Sequence, residues 1–349
     1  MERRFHSLDG LRGVCALSVL LFHAADLFHP GPVMPHGFLA VDMFFILSGF
    51  VIALNHERRL RDGQTLTCFL RARARRLLPV YWLGAAFNLA IFLWMASAGY
   101  YPHDYTGTVV WLLVPLVTML MLPAFGAPGD GYSPAMLNVT WSLFVEWLVN
   151  IAYSAGLFRC RTRTLMVIVA VGWLAMAIAG YFTGRGWCVG ISRWDVFTYG
   201  LLRGVPGFLV GVVLYRLQAQ GALARLPNLS TELLLTVWLC IAVVPTLTAT
   251  PSFDAIAVIG LGPLLVALLL RSDKTAPAIC RPLGALSYPL YVIHPGIILL
   301  AQGTPLFGLD HGPSPLRATL VIAACIAAAG IVQLAAAMPS RRMAASPAA

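Results

Sequence analysis

The chain has 349 residues, of which 59% are hydrophobic and only 11% charged, and its mean hydropathy is +0.80. Apolar runs of about 20 residues recur along it, each matching the hydrocarbon thickness of a bilayer, which excludes a water-soluble globular protein. The formal net charge of +10 does not point to nucleic acid, because the basic residues sit in short clusters between apolar runs, the pattern of cytoplasmic loops.

The predicted fold class is all-α: a polytopic integral membrane protein with about ten transmembrane helices and one re-entrant or interfacial segment. Candidate spans cover roughly residues 11–28, 37–55, 77–97, 140–158, 165–183, 201–215, 233–249, 255–270, 283–301 and 316–338. The first is long and has no small-residue cleavage site behind it, so it reads as a retained span and not a signal peptide. Within it Arg12 and His23 stand 11 residues apart, a spacing that returns to nearly the same helical face about 16 Å along the axis. Ionisable groups inside a span are costly and mark functional sites by default; snorkelling of Arg12 and simple packing of His23 is the plain alternative. Asp26, three residues on, is placed to orient the imidazole.

The second run carries Asp42 near its outer end. It reads either as a carboxylate favouring a helix N-terminus or as a site residue, and Ser48-Gly49 reads as close helix packing. Next comes a basic loop, Arg71–Arg76, whose Arg73, Arg75 and Arg76 suit phosphate through their planar guanidinium forks, with anionic lipid as the other candidate. The stretch Val109–Pro123 reaches only about 22 Å as a helix and contains Pro115, so it is not expected to cross. With that choice 19 of the 24 basic residues fall on one side, which the positive-inside rule makes cytoplasmic, with both termini there.

Glu146, in the fourth span, needs a partner at its depth, whether catalytic or structural, and Trp141 and Trp147 beside it read as interface anchors. In the ninth span Pro289 and Pro295 interrupt the helix around Tyr291 and His294, as backbone lining a cavity does. His23, Asp42, Glu146 and His294 at comparable depth imply one shared polar cavity. The seven cysteines form no disulfide framework or paired metal-ligand spacing, and no metal site is expected. Residues 1–342 are expected to form one domain and 343–349 a disordered tail.

Several segments resemble a known family in order and over essentially the whole chain. They are SLDGLRG at Ser7–Gly13, the Arg12 to His23 spacing, VDMFFILSGF at Val41–Phe50, RARRLLPVY at Arg73–Tyr81, WSLFVEW at Trp141–Trp147 and LSYPLYVIHP at Leu286–Pro295. The family is the membrane-bound acyltransferase 3 family, which includes the O-acetyltransferases of bacterial surface polysaccharides. The resemblance implies an acyl-CoA donor, usually acetyl-CoA, bound from the cytoplasm, and transfer of the acyl group to a hydroxyl of a cell-surface polysaccharide or lipid-linked sugar. It implies Arg12 in the donor-holding and catalytic machinery and His23 as general base or transient acyl carrier. Arg73, Arg75 and Arg76 would meet the CoA phosphates, with Glu146 in support.

Asp42, His294 and Tyr291 are the candidate acceptor-binding residues. Expected partners are membrane lipid, the glycan acceptor and glycan-assembly proteins, with no nucleic acid; the expected location is the cell inner membrane. Two other functions fit the same residues: an acyltransferase acting on a small molecule or lipid, and a secondary transporter of a sugar or acylated precursor, since buried charges and proline-broken helices also serve transport.

Overall fold

The computed structural model describes residues 4–28, 33–100, 115–122, 139–183, 187, 194–244, 251–304 and 314–344, and among these there are helices and no strands. Ten helices of at least 12 residues follow one another among the described residues. They are α1 (His6–His23), α2 (Gly37–Arg61), α3 (Leu66–Ser97), α4 (Thr140–Ala155), α5 (Thr162–Thr183), α6 (Trp194–Ala219), α7 (Thr231–Ala242), α8 (Ser252–Thr275), α9 (Cys280–Gly303) and α10 (Pro315–Ala344).

Seven of them, α2, α3, α5, α6, α8, α9 and α10, are long and apolar enough to cross a membrane. Asp9, Arg12 and His23 lower the hydropathy of α1, and α4 and α7, at 16 and 12 residues, are shorter than the roughly 20 residues of a full span. The chain is thus an all-α multi-pass membrane protein. Its periphery agrees: α5 turns Met166, Val167, Val171, Leu174 and Ile178 outward, and α10 turns Leu316, Leu320, Ile331 and Leu334 outward. Such continuous apolar faces would drive aggregation in water, whereas lipid solvates them.

One boundary differs from the sequence reading in a way that matters for function. Helix α3 begins at Leu66, 11 residues before the expected span, so Arg71–Arg76 is not a loop but part of a 32-residue helix. Thr65 caps it, its hydroxyl accepting from the Cys68 N–H at 3.3 Å, and arginine, alanine and leucine are all strong helix formers. Of Val109–Pro123, residues 115–122 are described. They make a short helical turn tied to α3, where the Tyr81 hydroxyl donates to the Thr118 carbonyl and the Trp82 indole to that of Met119. The rest of that segment, and the tail beyond residue 344, lie outside the described residues.

Two glycine-lined helix interfaces set the frame around the site. Helices α1 and α9 pack side by side and run the same way: Gly10 lies against Cys280, Gly13 against Leu283 and Asp9 against Gly284. A Cβ on Gly13 would stand 2.7 Å from the Leu283 carbonyl carbon, so only glycine allows this approach. Across the bundle, a Cβ on Gly49 would strike the Phe208 carbonyl and one on Gly211 the Ile46 carbonyl, which locks α2 to α6. The packing role read for Gly49 holds; its neighbour Ser48 faces elsewhere.

Candidate active site

A cavity of about 760 Å³ opens between α1, α2, α3, α4, α9 and the last turns of α10. One end is basic, with Arg4 and Arg12 from around the start of α1, Arg73 and Arg76 from α3, and Gln333 from α10. The other end is closed by Phe44, Ser142 and Tyr291, where the Tyr291 ring meets Phe44 edge-on at 5.6 Å and its hydroxyl hydrogen-bonds Ser142 at 2.6 Å. Helix α2 contributes Val41, Phe44, Ser48, Val51 and Asn55, a stripe at helical spacing.

Each polar residue of the Ser7–Gly13 segment has a separate task. Ser7 anchors α1 to the end of α8, its hydroxyl donating to the Leu269 carbonyl at 2.7 Å and its N–H to Asp273 at 3.0 Å. Asp9 accepts from Arg4 at 2.6 Å and from Arg12 at 3.1 Å, so it holds both guanidiniums at the cavity mouth. Asp9 was not among the sequence-derived site residues, although a carboxylate three positions before Arg12 is a readable partner.

Deeper in the wall, Glu146 accepts from the Ser48 hydroxyl and from Arg73 Nη2, both at 2.7 Å. Arg73 is buried, and its Nε has no partner among the described residues. Arg76 lines the same cavity and Arg75 does not, although both are exposed. Helical geometry explains the split: three residues from Arg73 return to the same face and two residues point away. Of the three arginines expected to act together, Arg73 and Arg76 line the cavity and Arg75 does not.

His23 and His294 do not line the cavity. They pair one turn of α9 beyond Tyr291, His23 Nδ1 lying 2.9 Å from His294 Nε2, and the Tyr291 ring stands 6.1 Å from that of His294. The parallel register explains the meeting, because His23 is 10 residues past Gly13 and His294 is 11 past Leu283, nearly equal rises. Hydrogen-bond logic assigns the tautomers. His294 Nδ1 faces the Leu290 carbonyl at 2.9 Å, and a carbonyl only accepts, so this nitrogen carries the hydrogen. The Nε2 of His294 then accepts from Nδ1–H of His23, leaving His23 Nε2 with its lone pair free to act as a base. Asp26, expected to orient His23, is instead exposed and accepts from Gln302 at 3.3 Å.

The single shared cavity inferred from depth is replaced by separate groups. Asp42 lies off the cavity stripe of α2 and faces α6, where both of its oxygens accept from Arg203, at 2.5 and 3.2 Å, with both side chains buried. The Arg203 guanidinium also stacks on Trp141, 5.5 Å from the ring centre. This pair pins α2 to α6 and does not touch the cavity. The lone arginine in an apolar stretch was the available signal that such a partner exists.

A family profile described as an acyltransferase domain, that of the acyltransferase 3 family, matches residues 5–334. The chain belongs to the acyltransferase 3 family. Protein 2 in the picA locus of Rhizobium radiobacter is 36% identical over 184 residues, which is 50% of this chain and 94% of that one. The exopolysaccharide production protein ExoZ of Rhizobium meliloti (strain 1021) is 28% identical over 333 residues, covering 90% of this chain and 93% of its own. BcsY of Komagataeibacter xylinus, described as a membrane-bound transacylase, is 25% identical over 312 residues, 85% of this chain and 74% of the relative. No solved structure matches.

Proposed function

We propose that this membrane acyltransferase moves an acetyl or other short acyl group from acyl-CoA to a hydroxyl of a surface polysaccharide or lipid-linked sugar. The carrying observation is the arrangement along α1 and α9, with a basic cavity ending at Tyr291 and an oriented histidine pair one turn beyond. The cavity volume, about 760 Å³, is in the range of small-molecule sites of about 300–1,000 Å³. The buried, unpartnered Nε of Arg73 is a donor suited to a phosphate oxygen, and Arg12 and Arg76 converge on the same space. The positive-inside rule supports this end facing the cytoplasm of the inner membrane, with both termini on that side. The likeness to ExoZ, an exopolysaccharide production protein, and to the transacylase BcsY supports a glycan acceptor and acyl transfer.

In the proposed step His23 Nε2 takes the proton of the acceptor hydroxyl. The oxygen attacks the thioester carbonyl carbon, the carbon–sulfur bond breaks, and the departing thiolate receives the proton. His294 holds the ring through its other nitrogen and steadies the transient imidazolium. Tyr291, touching both cavity and His294, lies where the acyl end of a donor would arrive.

Inverted membrane vesicles given radiolabelled acetyl-CoA and acceptor glycan are expected to incorporate label into the glycan fraction. Label in extracted lipid alone would support the small-molecule or lipid acyltransferase, and sugar exchange without label transfer would support the transporter. Within the donor site, Arg76→Ala is expected to raise the donor KM by about ten-fold, the worth of a charge-assisted hydrogen bond, whereas Arg75→Ala leaves it within about two-fold. Equal effects of the two substitutions would contradict the assignment of Arg76 over Arg75.

A further inference from the structure

Helix α9 runs from Cys280 to Gly303 with Pro295 inside it, and beside His294 a side chain from α3 hydrogen-bonds its backbone. In an uninterrupted helix the Gly296 N–H would donate to the Val292 carbonyl four residues back. Here the amide of Asn88 stands between them: Asn88 Nδ2 donates to the Val292 carbonyl at 2.7 Å, and Asn88 Oδ1 accepts from the Gly296 N–H at 3.1 Å. Asn88 is buried, with both ends of its amide bonded, in the middle of a helix that otherwise presents apolar side chains at that depth. A Cβ on residue 296 would collide with Asn88 Oδ1, so glycine is required for the insertion.

The inserted amide encloses the two residues that decide the local chemistry, His294 and Pro295. Proline lacks the N–H that would satisfy the Tyr291 carbonyl. The His294 ring meets the Leu290 carbonyl, one turn back, at 2.9 Å. That acceptor puts the hydrogen on His294 Nδ1 and hence leaves Nε2 to accept from His23.

We infer that Asn88 is a positioning residue for the acyl transfer: its amide, bridging the Val292 carbonyl and the Gly296 N–H of α9, fixes the turn that keeps His294 in the tautomer and orientation that bare Nε2 of His23. The inference rests on the proposed role of His23 as base. Asn88 itself does not line the donor cavity, and its hydrogen bonds go to the α9 backbone and not to either histidine.

The test uses the full-length protein in membranes, with Asn88→Leu as the first variant and Gly296→Ala, which pushes the amide out while leaving Asn88 in place, as the second. The turnover number for label transfer is expected to fall about 10²-fold in both, a share of what a general base contributes. The donor KM is expected to stay within about two-fold, the signature of a change confined to the chemical step. Nitrogen-15 spectra of histidine-labelled protein, with the His23 signal assigned by its absence in His23→Ala, are expected to show His23 losing its Nδ1-protonated form in both variants. Wild-type spectra, or wild-type turnover, in a folded variant overturns the inference. A raised donor KM with unchanged turnover also overturns it, because Asn88 would then serve the donor cavity. If wild-type vesicles transfer no label at all, the functional reading falls while the spectra, recorded without substrate, still decide whether Asn88 sets the tautomer.

Discussion

His23→Ala is expected to lower acyl transfer by about 10³–10⁴-fold, close to the full contribution of a general base, with protein abundance and membrane insertion unchanged. The substitution removes the ring whose Nε2 is bare, at a residue that is partly exposed and ends α1. It therefore leaves no large cavity and no buried charge, and inactivation will not arise from unfolding. His294→Ala is expected to cost less, about 10–100-fold, because His23 keeps its lone pair but loses the acceptor that selects its tautomer. His294→Gln restores an acceptor for His23 Nδ1–H and should recover part of that loss. Transfer at wild-type rates in His23→Ala would remove the base from the mechanism, and a larger loss in His294→Ala than in His23→Ala would reverse the two roles. Both outcomes are read from labelled acetyl-CoA in the same vesicle assay.

Arg73→Ala is expected to have the largest effect on stability and to weaken donor binding as well. Arg73 and Glu146 meet at 2.7 Å in a mostly buried setting, and Ser48 is the other group bound to that carboxylate. Removing the arginine leaves Glu146 uncompensated, which costs about 3–5 kcal/mol for a buried pair broken on one side. Thermal inactivation in detergent should show that loss, and the donor KM should rise at least about ten-fold. The double variant Arg73→Ala with Glu146→Leu removes both charges. It is expected to recover most of the stability and none of the donor affinity. Recovery of both would make the pair purely structural; recovery of neither would mean that Arg73 is held by contacts other than Glu146.

Much of the site was readable because intramembrane polar groups are few and each requires a reason. Arg12, Glu146 and Tyr291 stand out as exceptions to an apolar background and Arg73 and Arg76 as part of a dense basic cluster, and all five line one cavity. Asp9 and Arg203 were also readable in principle, as the obligatory partners of Arg12 and Asp42. Arg75 was misjudged because its stretch was taken as a loop, in which any side chain can turn inward; in a helix the face is decided by the residue number. Asn88 gave no signal, since one asparagine in a long apolar helix has many ordinary uses, and its partners are backbone groups over 200 residues away.

The amino-acid sequence alone determined the all-α membrane class, the order of the helices and the residue types available for chemistry. Each follows from a local cause: an apolar run of bilayer length must become a helix to satisfy its own backbone, and a charge within it must find a partner. Only the tertiary structure decided which partner each charge took. Asp42 went to Arg203, Glu146 to Arg73 and His23 to His294, and these choices depend on helix register and crossing. Those are set by the backbone approach that Gly13, Gly49 and Gly211 permit, a property of two surfaces in contact that no single segment contains.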